Sequence, residues 1–161
     1  MKVSIKNQQR LIRVNTQKTA RLLRKMLSLL RLPRAEISLL FVNDRRMRLL
    51  NRRYRGVDQT TDVLSFPQYS AEELKAESRK RSQVSTSDLH TSSGVLPLGD
   101  IVINLPLTKR QAHENSLSFD EALKQLLIHG LLHLIGYDHE QGRNAAGKMR
   151  RKSREVFEKL R

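Results

Sequence analysis

Three of the five histidines in this chain lie within eleven residues of one another. His129 and His133 are four positions apart in the apolar run LIHGLLHLIGYDHE (127–140), and His139 follows a few residues later. Positions four apart on an α-helix differ by about 40° in direction and lie one turn apart, so two imidazoles should project side by side. Histidines at this spacing on one helix face are typical of a metal site.

A glycine separates the third histidine from the other two. A continuing helix would carry His139 about 9 Å along the axis and rotate it away from His133. Gly136 can end the helix in a left-handed conformation and turn the chain back. Three neutral histidines would leave a fourth position open, as catalytic zinc sites do. We therefore predict one divalent metal ion, with Zn²⁺ favoured, bound by His129, His133 and His139 and carrying an activated water.

The same spacing occurs in the zinc-protease signature H-E-x-x-H-x-x-G-x-x-H. In those proteases the glutamate is the general base, and this chain has Gly130 at that position. Asp138 and Glu140 are nearby carboxylates, but neither has the helical position of the missing base. The pattern therefore disfavours peptide hydrolysis.

Positive charge is concentrated at the two ends of the chain, whose net charge is +15. Residues 1–60 carry 16 Lys and Arg against 3 acidic residues, 61–140 carry 7 against 11, and 141–161 carry 8 against 2. This imbalance favours a nucleic-acid partner over a basic surface that only aids solubility. An anionic membrane is disfavoured, because no helix combines a basic face with a bulky aromatic one.

Cysteine is absent, which excludes disulfides and thiolate metal sites. No apolar run is long enough to cross a membrane, and the N-terminus has no apolar core of signal-peptide length. We expect a cytoplasmic protein.

The hydrophobic pattern predicts one α+β domain over residues 1–161, with a mixed sheet of about four strands, about five helices, and the metal site at the end of a central helix. Strands are predicted at 3–5, 11–14, 36–43, 61–66 and 98–104, and helices at 16–30, 44–54, 106–114, 118–136 and 144–159. Asn15 and Asp44 are predicted to cap the first two helices, Pro33 to end the first, and Ser118 with Glu121 to form a capping box. Residues 69–95 are predicted to be a polar surface excursion, with one helical turn near 71–79.

The stretch HGLLHLIGYDH (129–139) resembles the signature of the YbeY family, the single-strand-specific, metal-dependent endoribonucleases of ribosomal RNA maturation. Two further stretches resemble the family in the same order, NRRYRGVDQTTDVLSFP (51–67) and LGDIVIN (98–104). The resemblance covers about residues 36–140 and implies an α+β fold with a four-stranded sheet. It departs from the family in the last helix, which is often acidic there and is basic here.

The resemblance implies roles for four residues. His129, His133 and His139 correspond to the metal ligands, and Arg55 matches an arginine considered functionally important. We expect catalytic roles for Arg55 and His133. A guanidinium could clamp a phosphate bidentately or stabilise the charge of a pentavalent transition state. From the residues alone, Arg55 could equally be one more solvated charge on a basic helix.

The resemblance therefore implies a metal-dependent endoribonuclease that cleaves single-stranded RNA in processing of the 16S ribosomal RNA 3′ end and in ribosome maturation or quality control. Its expected partners are ribosomal RNA, the small ribosomal subunit and associated factors, without DNA. The alternative is an RNA-binding ribosome-assembly factor whose metal only stabilises the fold. Aromatic residues make up only 4% of the chain, so backbone contacts should dominate. Tyr54 and Tyr137 are the candidate stacking residues, although partial burial is favoured for both.

Overall fold

The computed structural model describes residues 1–82, 95–137 and 143–160. Within these ranges there are four strands and six helices, one helix more than the sequence predicts. In chain order they are β1 (Lys2–Asn7), α1 (Thr16–Leu29), β2 (Ala35–Val42), α2 (Asp44–Arg55), β3 (Val63–Pro67), α3 (Ala71–Ser82), β4 (Leu96–Asn104), α4 (Leu105–Glu114), α5 (Phe119–Leu134) and α6 (Arg143–Lys159).

The four strands form one mixed sheet in the order β1-β2-β4-β3. β1, β2 and β4 are parallel, whereas β3 pairs antiparallel with β4 and forms one edge. A single small domain with helices on a mixed sheet confirms the predicted α+β class. None of the helices in the described ranges is both long and apolar enough to span a membrane.

The two faces of the sheet are covered by different helices, because side chains alternate along each strand. Ile37 of β2 and Ile101 of β4 belong to the main core, together with buried residues of α1, α5 and α6. Val102, the neighbour of Ile101, points to the other face and packs with Met47 of α2. The sheet therefore separates α5 from α2.

Most predicted helix and strand positions are confirmed, with shifts at their ends. The capping box of Ser118 and Glu121 is present at the start of α5, and Asn15 caps α1. The cap of α2 is Asn43, whose side chain accepts from the Arg46 amide, so the prediction of Asp44 was wrong by one residue. α1 ends before Pro33, where Arg31 adopts a positive φ of 58°.

Two further predictions of local structure were wrong. The predicted strand at 11–14 is a loop, because the buried side chain of Gln9 bonds both the amide and the carbonyl of Ile12 and so replaces a strand partner. The predicted single turn near 71–79 is a helix that extends to Ser82. At its start, the Ser70 amide donates to the Glu73 carboxylate and the Glu73 amide donates to the Ser70 hydroxyl, which stabilises the first turn.

Gly130 brings α5 close to the sheet. A Cβ atom at this position would lie 3.0 and 3.1 Å from two side-chain carbons of Ile101, and 3.2 Å from the Ser65 hydroxyl. The position at which a zinc protease carries its glutamate therefore faces the sheet in this protein. A glutamate side chain would have no room there, which explains in structural terms why this chain lacks the general base of the zinc proteases.

We expect Gly130→Ala to lower the free energy of unfolding by roughly 1–2 kcal/mol, because overpacking outweighs the gain in helix propensity. The matched control is Gly147→Ala in α6, where a Cβ would meet no atom within 4 Å. That change should raise the free energy of unfolding by up to about 1 kcal/mol. Urea denaturation of both variants measures the difference, and equal stabilisation by the two alanines would contradict the close approach of α5.

Candidate functional site

His129 and His133 meet on the exposed side of α5. Their Nε2 atoms are 3.1 Å apart, and their ring centroids are separated by 4.6 Å with the planes at 75°. Both side chains are half-buried, while the neighbouring Ile128 and Leu132 are buried in the core. The helix therefore holds the two imidazoles side by side at the boundary between core and solvent, as the spacing predicts.

The distance between the two Nε2 atoms is close to that expected when two imidazoles bind the same metal ion. Two nitrogens in tetrahedral coordination at about 2.0–2.1 Å from zinc would be roughly 3.4 Å apart. The observed 3.1 Å requires only a small adjustment of either ring. The donor set is also suitable, since neutral imidazole is a common zinc ligand. His129 and His133 could therefore hold one divalent ion together.

The third predicted ligand, His139, lies outside the described residues, as do Asp138 and Glu140. Within the described ranges no group of three or more potential ligands occurs. The chain reversal that His139 requires does begin as predicted. Gly136 has a positive φ of 88°, and the amide of Tyr137 donates to the Leu132 carbonyl, so the chain folds back over the last turn of α5.

A groove of about 480 Å³ runs between α5 and α6 and reaches His129. Its lining residues are Gln125, Leu126, Ile128, His129, Ser153, Arg154 and Phe157. Arg154 is exposed and places a cation in the same groove as His129. Sequence reasoning missed this residue, because it recognised α6 as basic without knowing which of its cations would face α5.

Arg55 is the last residue of α2 and is exposed, followed by Gly56 at φ 70°. Its helix covers the face of the sheet opposite to α5 through Met47. Tyr54 contacts Phe66 of β3, with ring centroids 5.0 Å apart, and Gly130 approaches Ser65, the preceding residue of β3. Both candidate regions thus flank the same edge strand.

The loop after α2 is tied back to the helix by polar contacts. Arg48 donates two hydrogen bonds to the Asp58 carboxylate, at 2.9 and 2.8 Å. The buried Asn51 side chain donates to the Gln59 carbonyl at 2.8 Å. These contacts limit the freedom of the segment that immediately follows Arg55.

Asn104 connects the start of α2 to the sheet and to α4. Its fully buried side chain donates to the Asp44 carboxylate at 3.0 Å and to the Thr60 hydroxyl at 2.9 Å, and its oxygen accepts from the Leu107 amide. Arg110 donates to Asp44 at 2.7 and 3.1 Å. The hydrogen bonds from Arg110 and Asn104 hold the pKa of Asp44 below its ordinary value of 3.8.

The remaining candidates differ in their outcomes. His113 is exposed at the end of α4, and His90 lies outside the described residues. Tyr137 is half-buried, in agreement with the favoured interpretation. Tyr54 is 57% exposed, so it is less buried than the partial burial favoured from the sequence.

The mixed sheet and the helix-borne histidine pair define a small α+β domain that presents two imidazoles, one of them in a groove that Arg154 also lines. Over residues 4–161 the chain matches the family model described as Endoribonuclease YbeY, and it belongs to that family.

Relatives named Endoribonuclease YbeY support this assignment. The relative from Desulforamulus reducens is 43% identical over 130 residues, which cover 80% of this chain and 74% of the relative. The relative from Thermodesulfovibrio yellowstonii is 33% identical over 176 residues and 99% of both chains. A solution structure from Thermotoga maritima has the same fold, with a TM-score of 0.63 and 22% identity over 98% of this chain and 88% of that one.

We expect Asp44→Asn to lower the free energy of unfolding at pH 7 by less than about 1 kcal/mol, because the pair with Arg110 is partly exposed. A carboxyl whose pKa is lowered by folding stabilises the protein above its unfolded pKa and loses that effect as the pH falls through the folded pKa. The difference from wild type should therefore be constant above about pH 4 and shrink below it.

Urea denaturation between pH 2 and pH 7 measures this dependence, with the pH range chosen around the ordinary carboxyl pKa of about 4. Arg110→Gln should produce the same pattern, and the double variant should lose little more than either single variant. Additive losses would mean that the two side chains do not stabilise the protein through one another.

Proposed function

We propose that this protein is a metal-dependent endoribonuclease that cleaves single-stranded RNA in ribosomal RNA processing, at the 3′ end of 16S ribosomal RNA and in ribosome maturation or quality control. Membership of the family makes the chain an RNA-cleaving hydrolase. The observation that carries the metal dependence is the 3.1 Å separation of the His129 and His133 Nε2 atoms on one side of α5.

The metal ligands in this proposal are His129 and His133, with His139 as the third. When bound, a zinc ion would polarise a phosphoryl oxygen and lower the pKa of a coordinated water. The chain's own contribution is to hold the two Nε2 atoms 3.1 Å apart, on a helix whose other side is fixed in the core. Three histidine ligands would leave one position for water or substrate.

The phosphate charge would be handled by arginines from two other helices. Arg154 lines the groove that reaches His129, and Arg55 is the last residue of α2. A guanidinium binds phosphate through two parallel hydrogen bonds and stays charged throughout the reaction. We assign Arg154 to the phosphate nearest the histidines, and Arg55 to charge stabilisation or to the adjacent phosphate.

The charge of the whole chain supports a polyanionic substrate. Its net charge of +15 would supply sequence-independent affinity through counterion release, so RNA binding should weaken steeply as salt is added. Ribosomal RNA, the small ribosomal subunit and its associated factors are the proposed partners. A ribosomal substrate would place the protein in the cytoplasm.

We expect His133→Ala to abolish both zinc binding and RNA cleavage, because a single imidazole would remain on α5. Metal content by mass spectrometry and cleavage of a labelled single-stranded RNA should be measured on the same preparations. Treatment of wild type with a chelator should stop cleavage, and added zinc should restore it. His113→Ala removes an exposed histidine remote from the pair and should change neither property.

Cleavage that survives complete metal removal would overturn the metal dependence. A protein that loses its metal and its folded state together, and that does not cleave RNA when loaded, would instead support the RNA-binding assembly factor with a structural metal.

We expect Arg55→Glu and Arg154→Glu each to lower kcat/KM for single-stranded RNA by roughly 100-fold or more while zinc content stays unchanged. Arg24→Glu in α1 changes the charge equally on an exposed helix face and should cause only a modest general loss of affinity. Steady-state kinetics and zinc analysis of the three variants test this assignment.

Loss of zinc in the Arg55 variant would mean that Arg55 has a structural role. Equal small effects in all three variants would mean that the arginines contribute only nonspecific charge.

A further inference from the structure

The face of the sheet that α2 covers has an open half. One row of side chains points to this face, with one residue from each strand in register: Ser4, Ser38, Asp100 and Phe66. Ser4, Ser38 and Asp100 are exposed, and together with Leu50 and Tyr54 of α2 the row lines a depression of about 590 Å³.

Exposure at this position is unusual for the type of sheet. Parallel strands are normally covered on both faces, and β2 and β4 are the two inner strands. The next row along the strands has the expected character, since Val102 and Leu64 are buried beneath α2. No helix or strand within the described ranges packs over Ser38 and Asp100. Packing within the described part of the chain therefore does not explain why this row is polar and exposed.

An aromatic pair borders the depression. Tyr54 is 57% exposed and touches the edge of Phe66, while the Arg53 guanidinium lies 5.6 Å from the centre of the Tyr54 ring. An exposed aromatic ring beside an arginine is a general means of binding unpaired bases, because every base has a face that can stack. Tyr54 immediately precedes Arg55, so the phosphate of a nucleotide whose base stacks on Tyr54 would lie close to the segment that carries Arg55.

Asp100 gives the floor of the depression a specific hydrogen-bonding character. Its carboxylate is exposed, and no hydrogen bond from the described residues reaches it. A carboxylate only accepts hydrogen bonds, so it selects partners that present N–H groups. Exocyclic amino groups of bases are such partners, and carboxylates accept from the amino group of cytosine in nucleic-acid complexes.

Charge decides what kind of molecule fits. Lys6 stands at the β1 side of the depression, and α2 carries six arginines along its length. A second copy of this strongly basic chain would bring like charge to the same surface, and an apolar peptide would offer no hydrogen-bond donor to the Asp100 carboxylate. A flexible polyanion with exposed bases could place its phosphates near Lys6 and Arg53, which form the basic rim, and a base against Tyr54 and Asp100.

We propose that this half of the sheet seats one unpaired nucleobase of the RNA substrate. Tyr54 stacks on the base, Asp100 accepts a hydrogen bond from its amino group, and the basic rim holds the flanking phosphates. The inference rests on the proposed RNA substrate and adds a subsite for base recognition on the side of β3 opposite to the histidines. It assigns the site a preference for cytosine over uracil.

The experiment uses the absence of tryptophan from the chain. Tyr54→Trp would introduce a single indole at the proposed stacking position. Its fluorescence should be quenched when hexacytidylate is added, and quenched at higher concentrations with hexauridylate. Binding is measured on the metal-loaded protein, within the time over which a parallel gel shows the oligonucleotides to be intact.

Two pairs of variants test the contacts by fluorescence anisotropy of labelled oligonucleotides. Tyr54→Ala should weaken hexacytidylate binding roughly tenfold, whereas Leu49→Ala, which truncates an exposed apolar residue of the same helix, should not. Asp100→Asn should reduce the ratio of cytidylate to uridylate affinity. Glu114→Gln makes the same change in net charge outside the depression and should leave that ratio unchanged.

The outcomes separate this inference from the proposed function. Normal RNA cleavage by wild type, together with no quenching and unchanged binding in Tyr54→Ala and Asp100→Asn, would overturn the base subsite and leave the endoribonuclease intact. Quenching and cytosine preference without metal-dependent cleavage would support the subsite and overturn the metal mechanism. Quenching by a basic or neutral peptide, and not by either oligonucleotide, would mean that the surface binds protein.

Discussion

The close packing of α5 on the sheet at Gly130 is the contact on which the remaining architecture depends. Ile101 and Ser65 occupy the space that a Cβ would need, so the helix lies directly on β4 and the edge strand β3. With α5 this close to the sheet, its apolar side lies in the main core, and His129 and His133 lie at the boundary with solvent. One glycine thus sets both the packing of the central helix and the orientation of its histidines.

This packing also constrains the chemistry. The side of α5 at which a zinc protease carries a general base is occupied by the sheet, so α5 itself can provide metal ligands but no carboxylate at that position. Cations must come from other elements. Arg154 on α6 lines the groove that reaches His129, and Arg55 ends α2, the helix that covers the other face of the sheet.

The second face of the sheet depends on a different constraint. The buried Asn104 side chain and the Asp44–Arg110 pair anchor the start of α2 at the ends of β2 and β4. From this anchor α2 covers Val102 and leaves Asp100, two residues earlier on the same strand, exposed. Half of the face is thus core and half is open, although the strand sequence alone shows only an acid before an apolar run.

Local signals in the sequence determined five of the six described helices, most strands, the capping box and the side-by-side arrangement of His129 and His133, because caps and helical periodicity act over a few residues. They failed at 11–14, where hydrogen bonds from the Gln9 side chain to the Ile12 backbone, three residues away, replace strand pairing, and at 71–82, where a helix forms instead of the single predicted turn. Only the tertiary structure decided that Gly130 faces the sheet, that Arg154 faces the histidine groove and that Asp100 is open to solvent. Those properties depend on which distant elements pack together, and neither composition nor spacing encodes that in a short stretch of chain.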